Sequence, residues 1–230
     1  MRKESFSTRV PNARRETLRR TFVFVLTLAA VEMGLLWSLR MDQRTRPYHV
    51  DRAVLSGWRV VLGAPDDPWI VALEPPASLT TSLFQQVSTK AGRPLIAPPH
   101  AALPLVLRPE HDAALQGVYG AVDIQRMATQ EIVVEPAFEP VCIGHRVDPQ
   151  GRASGELYFL AVNSPAFNVL RLGIRPDFPE HAGIGVYDPG ALTPVLPIAT
   201  TGTDFNRWWP IRLERMTDCE ALVTVEEPVF

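Results

Sequence analysis

The sequence predicts a mainly β protein: a single N-terminal transmembrane helix, then a proline-rich antiparallel β-sandwich or barrel-like extracytoplasmic domain carrying one or two short helices. Three observations carry that prediction. Residues 21–39 form one apolar run with a single ionisable side chain, Glu32. All of the 22 prolines except Pro11 lie beyond residue 46, where they disfavour long helices and central strands by removing a backbone donor and fixing φ. Between those prolines lie short apolar runs bounded by turn residues. A chain of 230 residues with 46% hydrophobic side chains has the length and apolar content for a real core. Its net charge of −2 supplies no basic surface for nucleic acid.

Residues 1–20 read as a basic cytoplasmic tail, with seven Lys/Arg against two Glu. The run 21–39 follows; as a helix its 19 residues cover roughly 28 Å, about the hydrocarbon thickness of a bilayer. The segment "RMDQRTRP" behind it is less basic, so the positive-inside rule leaves the N-terminus in the cytoplasm and the bulk in the periplasm of a bacterial inner membrane. Trp37 suits an interfacial anchor. The run exceeds the apolar region of a signal peptide and closes without a small-x-small cleavage site, which favours a retained anchor. Ala30 and Gly34 make a small-xxx-small pair that admits a neighbouring helix. Glu32 lies about 160° around the helix from both, so it asks for a polar partner, a water-lined cavity or a proton. Ala30, Glu32 and Gly34 are therefore the candidate helix-docking residues.

Residues 40–53 read as a polar linker and 54–230 as the outer domain. "GWRVVLG" and "WIVALE" are expected strands around the turn "APDDP". "PPASLTTSLFQQVSTKAGRP" is the strongest soluble helix, with Leu79, Leu83, Phe84 and Val87 at helical spacing and Gly92 and Pro94 as its stop. "PLIAPP", "LPLVLRP" and "QEIVVEP" read as short strands, and "EPVCIGHRV" with "ELYFLAVN" as a hairpin. "FNVLRLGIRP" reads as a third adjacent strand, "HAGIGVYDPGALTPVLPIATTG" as turn-rich, and "ALVTVEEPVF" as a closing strand.

No sequence motif assigns a catalytic, cofactor-binding or metal-ligating residue. HExxH, GxSxG, Walker-type and GxGxxG patterns do not occur. Cys142 and Cys219, the only cysteines, are a candidate disulfide outside the cytoplasm. "CIGH" offers Cys142 and His145 as a two-ligand metal fragment, but on a strand those side chains point to opposite faces. "PEHDA" reads as an exposed charged turn. "DFNRWWPIRLER" gathers Arg207, Trp208, Trp209 and Arg212, residue types enriched at binding hot spots, as a candidate interface.

These features lead to the expectation of a non-catalytic accessory subunit of a larger membrane protein complex. Energy-transducing assemblies, respiratory or photosynthetic, are the class expected to hold it. Its partners would be other subunits' transmembrane helices and periplasmic surfaces, with the lipid bilayer. The alternative is a membrane-anchored periplasmic binding module for glycan or peptide.

Overall fold

The computed structural model describes residues 25–26, 30–35, 46–132, 138–147, 155–174, 187–211, 213 and 218–227. The chain divides into two units, residues 1–43 and 44–230. In the first, residues 25–26 and 30–35 are helical and exposed, with Ala30, Glu32 and Gly34 among them. A Cβ placed on Gly34 would meet nothing within 4 Å. Among the described residues no helix is long and apolar enough to cross a membrane. The other residues of 21–39 lie outside the described set.

The second unit runs β1 (Tyr48–Asp51), β2 (Arg59–Leu62), β3 (Trp69–Glu74), α1 (Ala77–Ala91), β4 (Leu103–Leu107), α2 (Ala121–Ile132), β5 (Glu139–Val147), β6 (Glu156–Asn163), α3 (Pro165–Gly173), β7 (Val195–Thr200) and β8 (Cys219–Glu226). The strands form a five-stranded sheet in the order β1-β8-β5-β6-β7 and a three-stranded sheet in the order β2-β3-β4. The domain is thus mainly β, with a curled sheet and a few helices. An isolated antiparallel bridge joins Ile96, ahead of β4, to Thr200 at the end of β7, through hydrogen bonds of 2.7 and 2.9 Å. One cluster of buried side chains draws on both sheets and on α1, α2 and α3.

Local chemistry explains the elements that follow expectation. Helix α1 buries Leu79, Leu83 and Val87 completely, and Gly92, at φ 62°, ends it by donating its N–H to Ser88 O. The hairpin β5–β6 runs in register from Val147↔Glu156 to Glu139↔Asn163, with one irregularity near Cys142. Gly144 is required there, because a Cβ would lie 2.3 Å from the Phe159 ring.

Several expectations are corrected. The stretch read as a third strand is helix α3. Ser164 Oγ accepts from Phe167 N at 3.3 Å and Pro165 opens the first turn. Phe167, Leu170, Arg171 and Ile174 then share one buried face, a 3.6-residue period that a short apolar run conceals. Gln130, Glu131 and Ile132 of "QEIVVEP" close helix α2, and the residues after Ile132 in that stretch lie outside the described set. "PEHDA" exposes Pro109, Asp112 and Ala113 as expected, but Arg108–Leu115 coils as short helical turns and buries His111, whose Nε2 meets Tyr119 O at 3.0 Å. The turn-rich stretch contains β7, all six residues of which are buried. Among the described residues of this unit, three helices of nine residues or more exceed the one or two expected.

The pairing is not purely antiparallel either. Tyr48–Asp51, within the expected linker, forms β1 and pairs parallel with β8, Tyr48 opposite Val223. Tyr48 and Val50 turn into the core while His49 and Asp51 face outward, the two-residue alternation of a half-buried strand.

Candidate functional site

Cys142 on β5 and Cys219 on β8 are joined by a disulfide between adjacent strands, with Cα atoms 5.7 Å apart. Cys142 therefore offers no thiolate to a metal. His145 Nε2 instead meets Glu156 Oε2 at 2.8 Å. Among the described residues no group of three or more His, Cys, Asp or Glu side chains is placed to hold a metal ion.

The tryptophan pair is half-buried. Asn206–Trp208 makes one helical turn, and Trp209–Pro210 is a cis peptide. Trp208 packs against the small cluster of Cys142, Leu157, Phe159, Val195 and Ile211. Trp209 meets Trp69 of β3 edge to face, ring centroids 6.0 Å apart, and so bridges the two buried clusters. Neither ring is an open stacking platform. The Arg207 side chain and Arg212 lie outside the described set.

Two polar constellations escaped the reading of the sequence. In the first, Glu156 Oε2 collects Arg93 Nη2, His145 Nε2 at 2.8 Å and Tyr158 Oη at 3.3 Å, while Arg93 Nη2 donates to Tyr158 Oη at 3.0 Å. The His145 and Tyr158 rings stack at 4.6 Å. The hairpin register places His145 opposite Tyr158, so this pair was legible once "EPVCIGHRV" and "ELYFLAVN" were joined. Arg93, just beyond α1, had no sequence signal. The cluster is partly open to solvent: the side chains of Arg93 and Glu156 are 35% and 17% exposed.

In the second, Arg171 of α3 is fully buried and all its nitrogens are bonded. Nη2 donates to Glu110 Oε1 at 2.8 Å and Asp188 O at 2.9 Å, Nη1 to Leu105 O at 2.8 Å, and Nε to Pro189 O at 2.8 Å. The Tyr187 ring lies 5.1 Å from the guanidinium. Burial pushes the Tyr187 phenol well above its ordinary range; Arg171 pulls it down, and Glu110 and Asp188 push it up. Lys90 of α1 is tied to the entry of the domain, donating to Arg46 O and to Pro47 O and sitting 3.6 Å over the Tyr48 ring. Burial lowers the Lys90 pKa, Glu220 opposes that fall, and Arg46 adds to it.

A groove of about 630 Å³ lies beside β2. Val61, Leu62 and Trp69 line it with the paired prolines Pro75–Pro76 and Pro98–Pro99. Its polar groups are the Arg59–Glu74 pair at 2.7 Å and the Asp67–His100 pair at 3.4 Å. The groove is open, and prolines and these two ion pairs wall it. Searches against protein-family models, curated proteins and solved structures give no match to this chain.

Proposed function

We propose that this chain is a non-catalytic accessory subunit of a bacterial membrane complex. It is anchored by residues 21–39, with its N-terminus in the cytoplasm and residues 54–230 in the periplasm. The observation that carries the reading is the pairing of both cysteines in a domain that follows a basic tail and an apolar run. Disulfides persist in oxidising compartments, and the side of the membrane opposite the basic tail is one. Ala30 and Gly34 on one side of the run and Glu32 on the other support docking to neighbouring helices. Extraction in mild detergent tests it: the chain should co-purify with other membrane subunits, and Glu32→Leu should weaken that association without preventing insertion. A chain that always runs as a monomer, free of other subunits, overturns the proposal. An energy-transducing complex remains the class proposed for it.

A second reading, an anchored periplasmic module for glycan or peptide, draws its support from the groove beside β2 rather than from Trp208 and Trp209. Binding of cell-wall glycan or of extended peptides that Arg59→Ala or His100→Ala abolishes supports this reading. Binding of neither ligand class rejects it.

A further inference from the structure

Half of the β2 backbone groups have no hydrogen-bond partner among the described residues. Gly63 N donates to Ile70 O at 2.9 Å, which makes that position a hydrogen-bonded pair of the β2–β3 ladder. In an antiparallel ladder such pairs alternate, so Arg59 and Val61 bond β3 while Val60 and Leu62 turn their N–H and C=O groups away from it. Strand β2 is the edge of its sheet, so those outward groups have no strand beside them among the described residues. Natural edges are usually guarded by lysine, proline or a bulge. The sequence of β2, Arg-Val-Val-Leu, has no lysine, proline or bulge, its one charge is Arg59 at the start, and Leu62 is 44% exposed.

The charges along this edge are ordered. Arg59 stands at the start of β2, and Asp66 and Asp67 stand in the turn beyond its end. We propose that β2 pairs antiparallel with β2 of a second copy of this chain, on a twofold axis at Val61. Val60 then faces Leu62 of the partner copy, and Leu62 faces its Val60, making four backbone hydrogen bonds from the four outward-turned residues. The two three-stranded sheets become one of six strands. Antiparallel pairing carries each Arg59 toward the acidic turn of the other copy at both ends. A parallel arrangement would set like charges together, and an unrelated peptide has no reason to carry this matched order. That charge match selects a second copy as the occupant. The pairing uses only residues of the outer domain and does not depend on the accessory-subunit reading.

The experiment is cysteine cross-linking of the full-length chain. At a twofold axis through a non-hydrogen-bonded pair, the Val61 Cα atoms would lie about 4.5 Å apart, within reach of a disulfide. The native cysteines are already bonded to each other, which leaves the introduced thiol free to report. Val61→Cys should oxidise to a dimer on non-reducing gels roughly tenfold faster than Val122→Cys, a thiol on an exposed position of α2. Equal rates, or Val61→Cys captured only by other proteins, overturn the proposal. A second arm guards against a folding defect. On the Val61→Cys chain, Arg59→Glu alone sets acid against acid and Asp66→Lys alone sets base against base, so each should lose cross-linking. Mixing the two variants makes both ends complementary and should restore the dimer. Variants that cross-link as well alone as when mixed also overturn it.

Discussion

Two arginine–glutamate pairs in this domain have the same chemistry and opposite settings. Arg171 and Glu110 meet in the interior, where the guanidinium is fully buried and every nitrogen has an acceptor. Arg93 and Glu156 meet beside the hairpin in a setting partly open to solvent, where one carboxylate oxygen is shared among Arg93, His145 and Tyr158, and Arg93 Nε is buried with no partner among the described residues. The buried pair joins α3, the turn after β4 and the segment at 187–190, elements far apart in sequence. A buried charge pair gains little over an apolar substitute, but losing one partner strands the other charge away from water. The second pair is partly open to solvent, so water screens it more, and Glu156 Oε2 is shared among three donors. The same residue types therefore act as an interior clamp in one place and an adjustable contact in the other.

The largest effect should come from the clamp. Arg171→Met is expected to cost about 3–5 kcal/mol in denaturant unfolding, because Glu110 and three backbone carbonyls lose their partner together. A loss under about 1 kcal/mol would mean that the interior pair is no more valuable than an exposed one. Removing the disulfide with Cys142→Ser and Cys219→Ser comes next, at about 2–4 kcal/mol, since it closes a long loop and sits in the same sheet as the surface cluster. Were this loss larger than that of Arg171→Met, the covalent link would outrank the polar clamp and the ordering would be reversed.

Glu156→Gln should be milder, about 1 kcal/mol, and an Arg93→Met/Glu156→Gln double-mutant cycle should show coupling below 1 kcal/mol. Coupling of several kcal/mol would place the surface cluster in the same class as the buried pair.

The smallest effect belongs to Tyr187, whose hydroxyl is buried with no hydrogen-bond partner among the described residues. Tyr187→Phe should shift stability at neutral pH by less than about 0.5 kcal/mol. Its signature lies in alkaline solution. The folded state favours the neutral phenol and raises its pKa above the ordinary 10.0. Stability from this group is therefore present below pH 10.0 and lost as pH rises from there toward the folded value, because the unfolded chain releases its proton first. The parent chain should lose stability between pH 10 and 11 more steeply than the variant. Parallel pH profiles of the two would remove Tyr187 from the clamp.

Legibility in the sequence follows the range of the interaction. Helix α1 announces itself through Leu79, Leu83 and Val87 at helical spacing and through Gly92, because periodicity and caps act within a few residues. The hairpin β5–β6 is equally local, so His145 and Tyr158 could be set opposite each other from their spacing. Helix α3 reads as a strand because Phe167, Val169, Leu170 and Leu172 within nine residues suit both periods, and the Ser164–Pro165 start signal is local evidence against a strand. The tryptophans were read as a hot spot from residue type alone, whereas burial against Trp69 depends on a strand 140 residues earlier.

By itself, the sequence determined strands β2 to β6 and β8, the main helix, the two cysteines available to pair and the residues of β2. Each of these rests on backbone propensity or on residue identity. Tertiary structure alone decided that β1 lies parallel to β8, that Arg171 finds Glu110, and that three side chains converge on Glu156. Those contacts join residues dozens of positions apart, and their energy comes from burial and desolvation. Neither exists until the sheets and helices have packed around a common core.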